Sequence, residues 1–206
     1  TAAVTATDVV LGYGSEVVLS NSSFEVPSGT ITAVIGPNGS GKSTLLNGVA
    51  GLIEPLAGEL DVPARRRGPH RIAYVLQTTQ DHDVLLLDEP LTGIDLTTAQ
   101  AIDDVIHTER DRGRTVILTT HDLSEARVAD HVLLLAGRVV ASGRPEAVLT
   151  DEHLLAAYGP SLLHVEPGGV IVDDPAHPES PGRGRRRRRP HHPRHGHPRT
   201  PHRRPA

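Results

Sequence analysis

The distribution of apolar positions predicts a chain of alternating strands and helices. Residues 3–26 alternate apolar and polar side chains, with glycine and an Asn-Ser-Ser run between them, which predicts antiparallel strands joined by turns. Short, continuous apolar runs then indicate strands buried on both faces: Ile31–Ile35, 72–75, Val84–Leu87 and Thr115–Thr119. Helical spacing or helix-ending glycine predicts helices over 42–49, 96–112, 123–129, 145–149 and Asp151–Tyr158. Residues 132–135 and 138–142 form a predicted hairpin, and Gly169–Val172 is a weak strand.

This order of elements predicts an α/β fold. Continuous apolar strands that alternate with helices are typical of a mostly parallel sheet covered on both faces. Beyond residue 174, Pro, Arg, His and Gly dominate and no apolar periodicity remains, so we expect that segment to be disordered. The predicted organisation is one domain over residues 1–174 and a tail over residues 175–206.

Composition adds a division of charge to this picture. The net charge is −4, but residues 181–206 hold ten Arg and no acid, whereas residues 1–180 hold 11 Lys or Arg against 25 Asp or Glu. Cysteine is absent, which excludes disulfides and thiolate metal sites and is compatible with a reducing compartment. No run approaches the roughly 18 apolar residues of a spanning helix, and no signal peptide is evident, so we expect a soluble chain unless a partner holds it at a membrane.

A glycine-rich segment between the first buried strand and the first helix fits the phosphate-binding pattern G-x-x-x-x-G-K-[ST]. Glycines allow several backbone N–H groups to converge on one anion, and the helix N-terminus adds partial positive charge. Lys42, the only lysine in the chain, would reach the β- and γ-phosphates, and the Ser43 hydroxyl would bind Mg²⁺. The predicted ATP-binding residues here are Gly36, Pro37, Asn38, Gly39, Ser40, Gly41, Lys42, Ser43 and Thr44. The alternative is a glycine-rich turn without a ligand.

Two further strand ends carry candidate catalytic side chains. Asp88 and Glu89 follow the strand Val84–Leu87, where ligands of parallel sheets bind. Asp88 would bind Mg²⁺ and Glu89 would act as general base on the attacking water. His121 follows Thr115–Thr119 and could contact the γ-phosphate or that water, although a lone histidine is more often a surface or core residue.

These motifs, in this order, resemble the ATP-binding cassette (ABC) family. Tyr13 matches the aromatic residue that stacks on adenine, and Gln77 matches the glutamine that contacts Mg²⁺ and water. Residues 85–89 look like Walker B, Gly93-Ile94-Asp95 like the D-loop, and His121 like the switch histidine. The resemblance implies a P-loop NTPase with a RecA-like core, an N-terminal antiparallel β piece and ATPase activity with Mg²⁺. Asp88-Glu89-Pro90 and the sequence after it resemble zinc or manganese importer subunits.

The resemblance also implies partners and a location. Family members pair with transmembrane permease subunits and with a second ATP-binding subunit, which together sandwich two ATP molecules. Such a chain would be peripheral on the cytoplasmic face of the cell membrane, and no specific nucleic-acid partner is expected.

One interval departs from the family pattern. Only five residues separate Gln77 from Asp83, where family members carry a helical subdomain and an LSGGQ signature, and no Ser-Gly-Gly occurs in this chain. The signature helix of one subunit normally points its N-terminus at the γ-phosphate held by the other subunit. We therefore expect the chain to bind ATP with Mg²⁺ but to turn it over poorly and not to drive transport.

Two other functions remain open at this stage. The chain could be a truncated nucleotide-binding module without turnover, or a soluble P-loop ATPase acting on DNA through its arginine-rich tail. The tail itself could bind polyanions, or metal through His191, His192, His195 and His197. It could also be low-complexity sequence without a role.

Overall fold

The computed structural model describes residues 1–68, 71–74 and 82–160, together with the backbone of residues 163–166 and 169–172. Gln77 and the arginine-rich segment lie outside these residues. The role assigned to Gln77, the roles assigned to the tail and the boundary between domain and tail therefore remain predictions.

An antiparallel sheet of three strands lies at the N-terminal side of the fold. Its members are β1 (Ala2–Tyr13), β2 (Glu16–Pro27) and β4 (Ala57–Asp61), in the order β2-β1-β4. The two-residue turn between Tyr13 and Glu16 uses Gly14 at a φ of 60°, a conformation that glycine adopts without steric cost. The hairpin buries alternate apolar side chains such as Val9, Leu11 and Leu19.

A second sheet of six strands forms the centre of the molecule. It comprises β3 (Ile31–Ile35), β5 (Ile72–Tyr74), β6 (Val84–Leu87), β7 (Thr115–Thr119), β8 (His131–Leu135) and β9 (Val139–Gly143). Their order is β5-β6-β7-β3-β8-β9, and every neighbouring pair is parallel except β8 with β9. Val34 pairs with Thr119 and Leu87 with Leu118, so the C-terminal ends of β3, β6 and β7 lie side by side.

Helices pack on both faces of the central sheet. They are α1 (Lys42–Ala50), α2 (Pro63–Arg67), α3 (Leu96–Asp111), α4 (Leu123–Val128), α5 (Pro145–Val148) and α6 (Asp151–Tyr158). Alternate strand residues enter two apolar layers. Val34, Leu86 and Ile117 join the layer with α1 and the N-terminal sheet, whereas their strand neighbours join the layer with α3, α4 and α6. A last hairpin pairs β10 (Leu163–Glu166) with β11 (Gly169–Val172).

The predicted fold class is confirmed in its α/β P-loop architecture, with an antiparallel N-terminal sheet and a mostly parallel central sheet. Ile31–Ile35, Val84–Leu87, Thr115–Thr119 and Asp151–Tyr158 have the predicted bounds, and most other ends differ by one or two residues. Sequence analysis missed β4, α2 and β10. The strand β4 is largely exposed and contains Gly58, so its extended conformation comes from pairing with β1.

Among the residues that the structure describes, no helix combines the length and the apolar character needed to cross a membrane.

Candidate nucleotide-binding site

The loop between β3 and α1 has the backbone geometry of a phosphate cradle. Gly41, at the N-cap of α1, is left-handed with φ 100°, and as a glycine it provides no side-chain cap. The N-terminus of a helix carries partial positive charge, which favours an anion at this end of α1. Gly36 has φ 151°, and a Cβ at that position would lie 2.2 Å from the backbone oxygen of Leu135. A Cβ at Gly39 would meet no protein atom within 4 Å, which leaves that side of the loop open.

The lysine of this loop is buried inside it. Lys42 Nζ donates to the carbonyl oxygens of Gly36, at 2.9 Å, and Pro37, at 3.3 Å. These bonds hold the ammonium group within the turn where phosphate oxygens would bind. The Ser40 hydroxyl is also buried, and the structure gives it no hydrogen-bond partner among the described residues. A buried hydroxyl without a partner costs stability, so a ligand oxygen at this loop would remove a penalty.

The two carboxylates after β6 are organised by Thr119, a residue that the sequence analysis did not single out. Its hydroxyl donates to Asp88 Oδ1 at 2.5 Å and accepts from the Glu89 backbone N–H at 2.8 Å. Thr119 is fully buried at the end of β7, and the register of β6 with β7 places it beside Asp88. Only the register between β6 and β7 could have identified Thr119 as part of the site, and a single sequence does not give that register.

Glu89 and His121 come close together at the same edge of the sheet. His121 Nδ1 lies 4.0 Å from Glu89 Oε2, and both side chains are about one-third exposed. Glu89 has φ 46°, a left-handed conformation that is uncommon for a residue with a side chain. The bond from its N–H to Thr119 helps to hold this conformation, which turns the chain sharply after the strand.

Tyr13 lies at the tip of the β1–β2 hairpin and is half exposed. Its hydroxyl accepts a hydrogen bond from Asn47 Nδ2 of α1 at 2.9 Å, which ties the ring to the helix that follows the phosphate loop. The half-exposed ring thus lies beside α1. Tyr74, at the end of β5, lies near both Tyr13 and Asp88. Burial, followed by the charges of Asp88 and Tyr13, raises the pKa of Tyr74.

Glu125, on α4, interacts electrostatically with His121. Burial raises the pKa of this carboxyl; a hydrogen bond with Thr120 and the proximity of His121 oppose the rise, while the charges of Asp122 and Asp103 add to it. The sequence analysis did not identify Glu125 as part of the site, because its position relative to His121 depends on where α4 begins.

The donor set at this edge fits a hard divalent cation. Asp88 is exposed and engages Thr119 through Oδ1, so Oδ2 remains for a metal or a metal-bound water, and the Ser43 hydroxyl is exposed in the first turn of α1. Oxygen ligands of this kind suit Mg²⁺, which usually keeps several waters and is completed by substrate phosphates. Gln77, the third predicted ligand, lies outside the described residues.

The comparisons with known proteins identify the family. A sequence model of the ABC transporter family matches residues 19–126, just over half of the chain. The chain belongs to the ABC transporter family. Its membership confirms the resemblance seen in the sequence, and with it the predicted ATP-binding subunit of the ATPase class.

Relatives and solved structures agree with this assignment. The zinc transport system ATP-binding protein TroB of Treponema pallidum is 29% identical, over 76% of this chain and 87% of TroB. The manganese transport system ATP-binding protein MntA of Synechocystis is 26% identical, over 68% of this chain and 84% of MntA. Among solved structures, the ATP-binding cassette MJ1267 of an ABC transporter matches with a TM-score of 0.65 at 18% identity. The match covers 77% of this chain and 99% of MJ1267.

The alignment with TroB also contains positions that this chain does not fill. It extends over 231 positions, whereas 76% of 206 residues is about 157 residues, so more than 70 positions of the alignment face a gap in this chain. In the structure, only nine residues connect Tyr74 of β5 to Val84 of β6, although the two strands are adjacent and parallel. Such crossovers usually need a dozen residues or more. Both observations agree with the missing segment inferred from the motif spacing.

Proposed function

We propose that this chain is the ATP-binding subunit of an ABC importer for metal ions, and that it binds ATP with Mg²⁺ at the C-terminal ends of β3, β6 and β7. The observation that carries this proposal is the convergence of Lys42, the Asp88-Glu89 pair and His121 at one edge of the sheet. Several relatives are named for zinc, manganese or chelated iron transport, which supports metal ions as the cargo class.

Each residue of the site has a role in this proposal. Lys42 and the backbone N–H groups of the loop would bind the phosphates, and Tyr13 would stack on the base. Asp88 and Ser43 would hold Mg²⁺, which supplies charge neutralisation on the phosphates when bound. Glu89 would accept a proton from the attacking water, and His121, 4.0 Å from Glu89, would orient that water against the γ-phosphate.

The partners and the location follow from the same proposal. Transmembrane permease subunits would hold the chain on the cytoplasmic face of the cell membrane, and a second ATP-binding subunit would complete the ATP sandwich. Relatives include a subunit of a chelated iron transport system, which supports a permease partner.

A second candidate function is a nucleotide-binding module that does not turn over. The interval of only five residues between Gln77 and Asp83 favours it, because the signature segment of the partner subunit normally supplies N–H donors to the γ-phosphate. Binding of ATP is common to both candidates, and hydrolysis separates them.

We predict that Lys42→Ala weakens ATP binding at least tenfold. A hydrogen bond to a charged group contributes about 1.5–3 kcal/mol, which corresponds to roughly 10- to 100-fold in affinity. Titration of the purified chain with a fluorescent ATP analogue, with and without Mg²⁺, measures the effect. Arg144→Gln is the charge-matched control, since Arg144 lies beyond β9 at the opposite end of the sheet.

Retention of ATP affinity in Lys42→Ala, with the fold checked by circular dichroism, would overturn the proposed site. Cargo is tested separately. If the chain co-expressed with its permease hydrolyses ATP, uptake of radioactive zinc or manganese should depend on Lys42. Uptake of neither metal by a complex that does hydrolyse ATP would remove the metal-ion assignment.

A further inference from the structure

A basic cleft lies at the edge of the central sheet opposite the phosphate loop. Four arginines line it: Arg67 at the end of α2, Arg71 before β5, and Arg112 and Arg114 between α3 and β7. The cleft has a volume of about 340 Å³, within the range of small-molecule sites. It adjoins the N-terminal ends of β6 and β7, so a strand length of about 15 Å separates it from the nucleotide edge.

Two carboxylates hold the arginines in place, each contacting two guanidinium groups. Asp83, directly before β6, lies 3.4 Å from Arg67 and 3.5 Å from Arg71. Glu109, on α3, pairs with Arg112 at 2.8 Å and with Arg114 at close range. Three separate segments of the chain thus direct their cations to one cleft.

Glu109 also contacts a buried histidine from the segment before β6. His82 Nε2 lies 2.9 Å from Glu109 Oε2, and both side chains are more than nine-tenths buried. Burial opposes ionisation of Glu109, but Arg114, His82 and Arg112 outweigh it and lower the pKa of the carboxyl. Glu109, His82 and the mostly buried Arg114 therefore form a polar network beside the cleft.

The charge balance of the cleft differs from that of the surrounding chain. Among the residues that the structure describes, four guanidinium groups contact two carboxylates at this cleft. Residues 1–180 as a whole carry 11 Lys or Arg against 25 Asp or Glu, and seven of those 11 cations fall in residues 65–71 and 110–114. A cationic cleft in an otherwise acidic surface concentrates anions at that place.

We propose that this cleft is a binding site for a small phosphate-bearing anion. Arginine presents a planar fork of N–H donors that matches phosphate oxygens in a bidentate manner, and here the forks are held in place before the ligand arrives. The outer arginines, Arg67 and Arg112, have side chains about two-thirds exposed and would contact the anion from two sides. This site is separate from the nucleotide site and does not depend on the proposed function.

The test is a calorimetric titration of the full chain with inorganic phosphate and with pyrophosphate, in the presence of saturating ADP to fill the phosphate loop. We expect one site per chain, with affinity reduced at least tenfold in the double variant Arg67→Gln/Arg112→Gln. Both residues are exposed, so the variant should fold, which circular dichroism checks. The arginine-rich residues 181–206 are unchanged in every variant and contribute the same background.

Arg66→Gln is the matched control, because Arg66 lies on the same short helix but pairs with Asp61 and does not line the cleft. Its affinity should change less than twofold. Equal weakening in Arg66→Gln would show diffuse electrostatic attraction and would refute the site. Absence of binding once ADP occupies the loop would also refute it, since the anion would then belong to the nucleotide site. Preference for pyrophosphate over phosphate would indicate a diphosphate-bearing ligand.

Discussion

At the scale of single residues, Thr119 shows how one hydroxyl can organise a site. It is the last residue of β7, and it binds the side chain of Asp88 and the backbone of Glu89 at the same time. The hydroxyl therefore fixes both the orientation of the proposed metal ligand and the left-handed turn at the proposed general base. Sequence motifs identify Asp88 and Glu89, but they do not include Thr119, which binds to both.

We predict that Thr119→Val weakens Mg²⁺-dependent ATP binding about fivefold and destabilises the protein by about 1 kcal/mol, because two hydrogen bonds are lost without a change in volume. Nucleotide titrations with and without Mg²⁺ and chemical denaturation measure the two effects.

Thr115→Val is the matched control for this prediction. Thr115 is equally buried at the other end of β7, where its hydroxyl accepts from the Gly29 N–H. Its loss should affect stability by a similar amount and leave Mg²⁺-dependent binding unchanged. A similar loss of nucleotide affinity in both variants would mean that Thr119 acts only through stability.

At the scale of elements, the β8–β9 hairpin buries a titratable side chain. His131, the first residue of β8, is more than nine-tenths buried, and its Nε2 lies 3.4 Å from Ser142 Oγ of β9. Desolvation lowers the pKa of His131 below its usual value near 6.5, since the charged imidazolium would be separated from water. Its Nδ1 has no hydrogen-bond partner in the part of the chain that the structure describes.

We predict that His131 makes the folded state less stable at mildly acidic pH. The unfolded chain takes up the proton first, so this contribution to stability is complete above pH 6.5 and decreases as the pH falls, until the folded imidazole also protonates. Urea denaturation of the wild type and His131→Phe at pH 7.5 and pH 5.5 measures it. The variant should lose less stability on acidification, and an equal loss in both proteins would contradict the prediction.

At the scale of the whole molecule, the central feature is a proposed phosphate site in a chain whose motif spacing leaves out a family segment. The edge formed by β3, β6 and β7 carries the phosphate loop, the two carboxylates and the histidine together. The connection between β5 and β6, by contrast, is nine residues long and has no room for the helical subdomain that the resemblance implies. Binding and hydrolysis are therefore expected to separate in this chain.

We predict that the purified chain binds ATP but hydrolyses it slowly, because no signature helix reaches the γ-phosphate from a partner subunit. Phosphate release under saturating ATP and Mg²⁺ measures turnover, with Glu89→Gln as the test variant and Glu152→Gln, on the exposed face of α6, as the charge-matched control. Fast hydrolysis that Glu89→Gln abolishes and Glu152→Gln retains would contradict the prediction and would favour the complete ATPase.

Sequence by itself determined the elements whose signals are local. Continuous β-branched runs define Ile31–Ile35 and Thr115–Thr119, and the glycines of the phosphate loop are required by backbone conformation, so both were predictable without a partner strand. It also determined the candidate residues Lys42, Asp88, Glu89 and His121, because their types follow from the chemistry of phosphates and Mg²⁺.

Tertiary structure alone decided which strands pair, in which register they pair, and which distant side chains meet. The strand β4 is extended because it pairs with β1, and Thr119 meets Asp88 because β6 and β7 pair in one register. The arginines of residues 65–71 and 110–114 are distant in the sequence, and they form one cleft only because their segments end at the same edge of the sheet. Contacts of this kind join residues that share no local pattern, so only the folded chain brings them together.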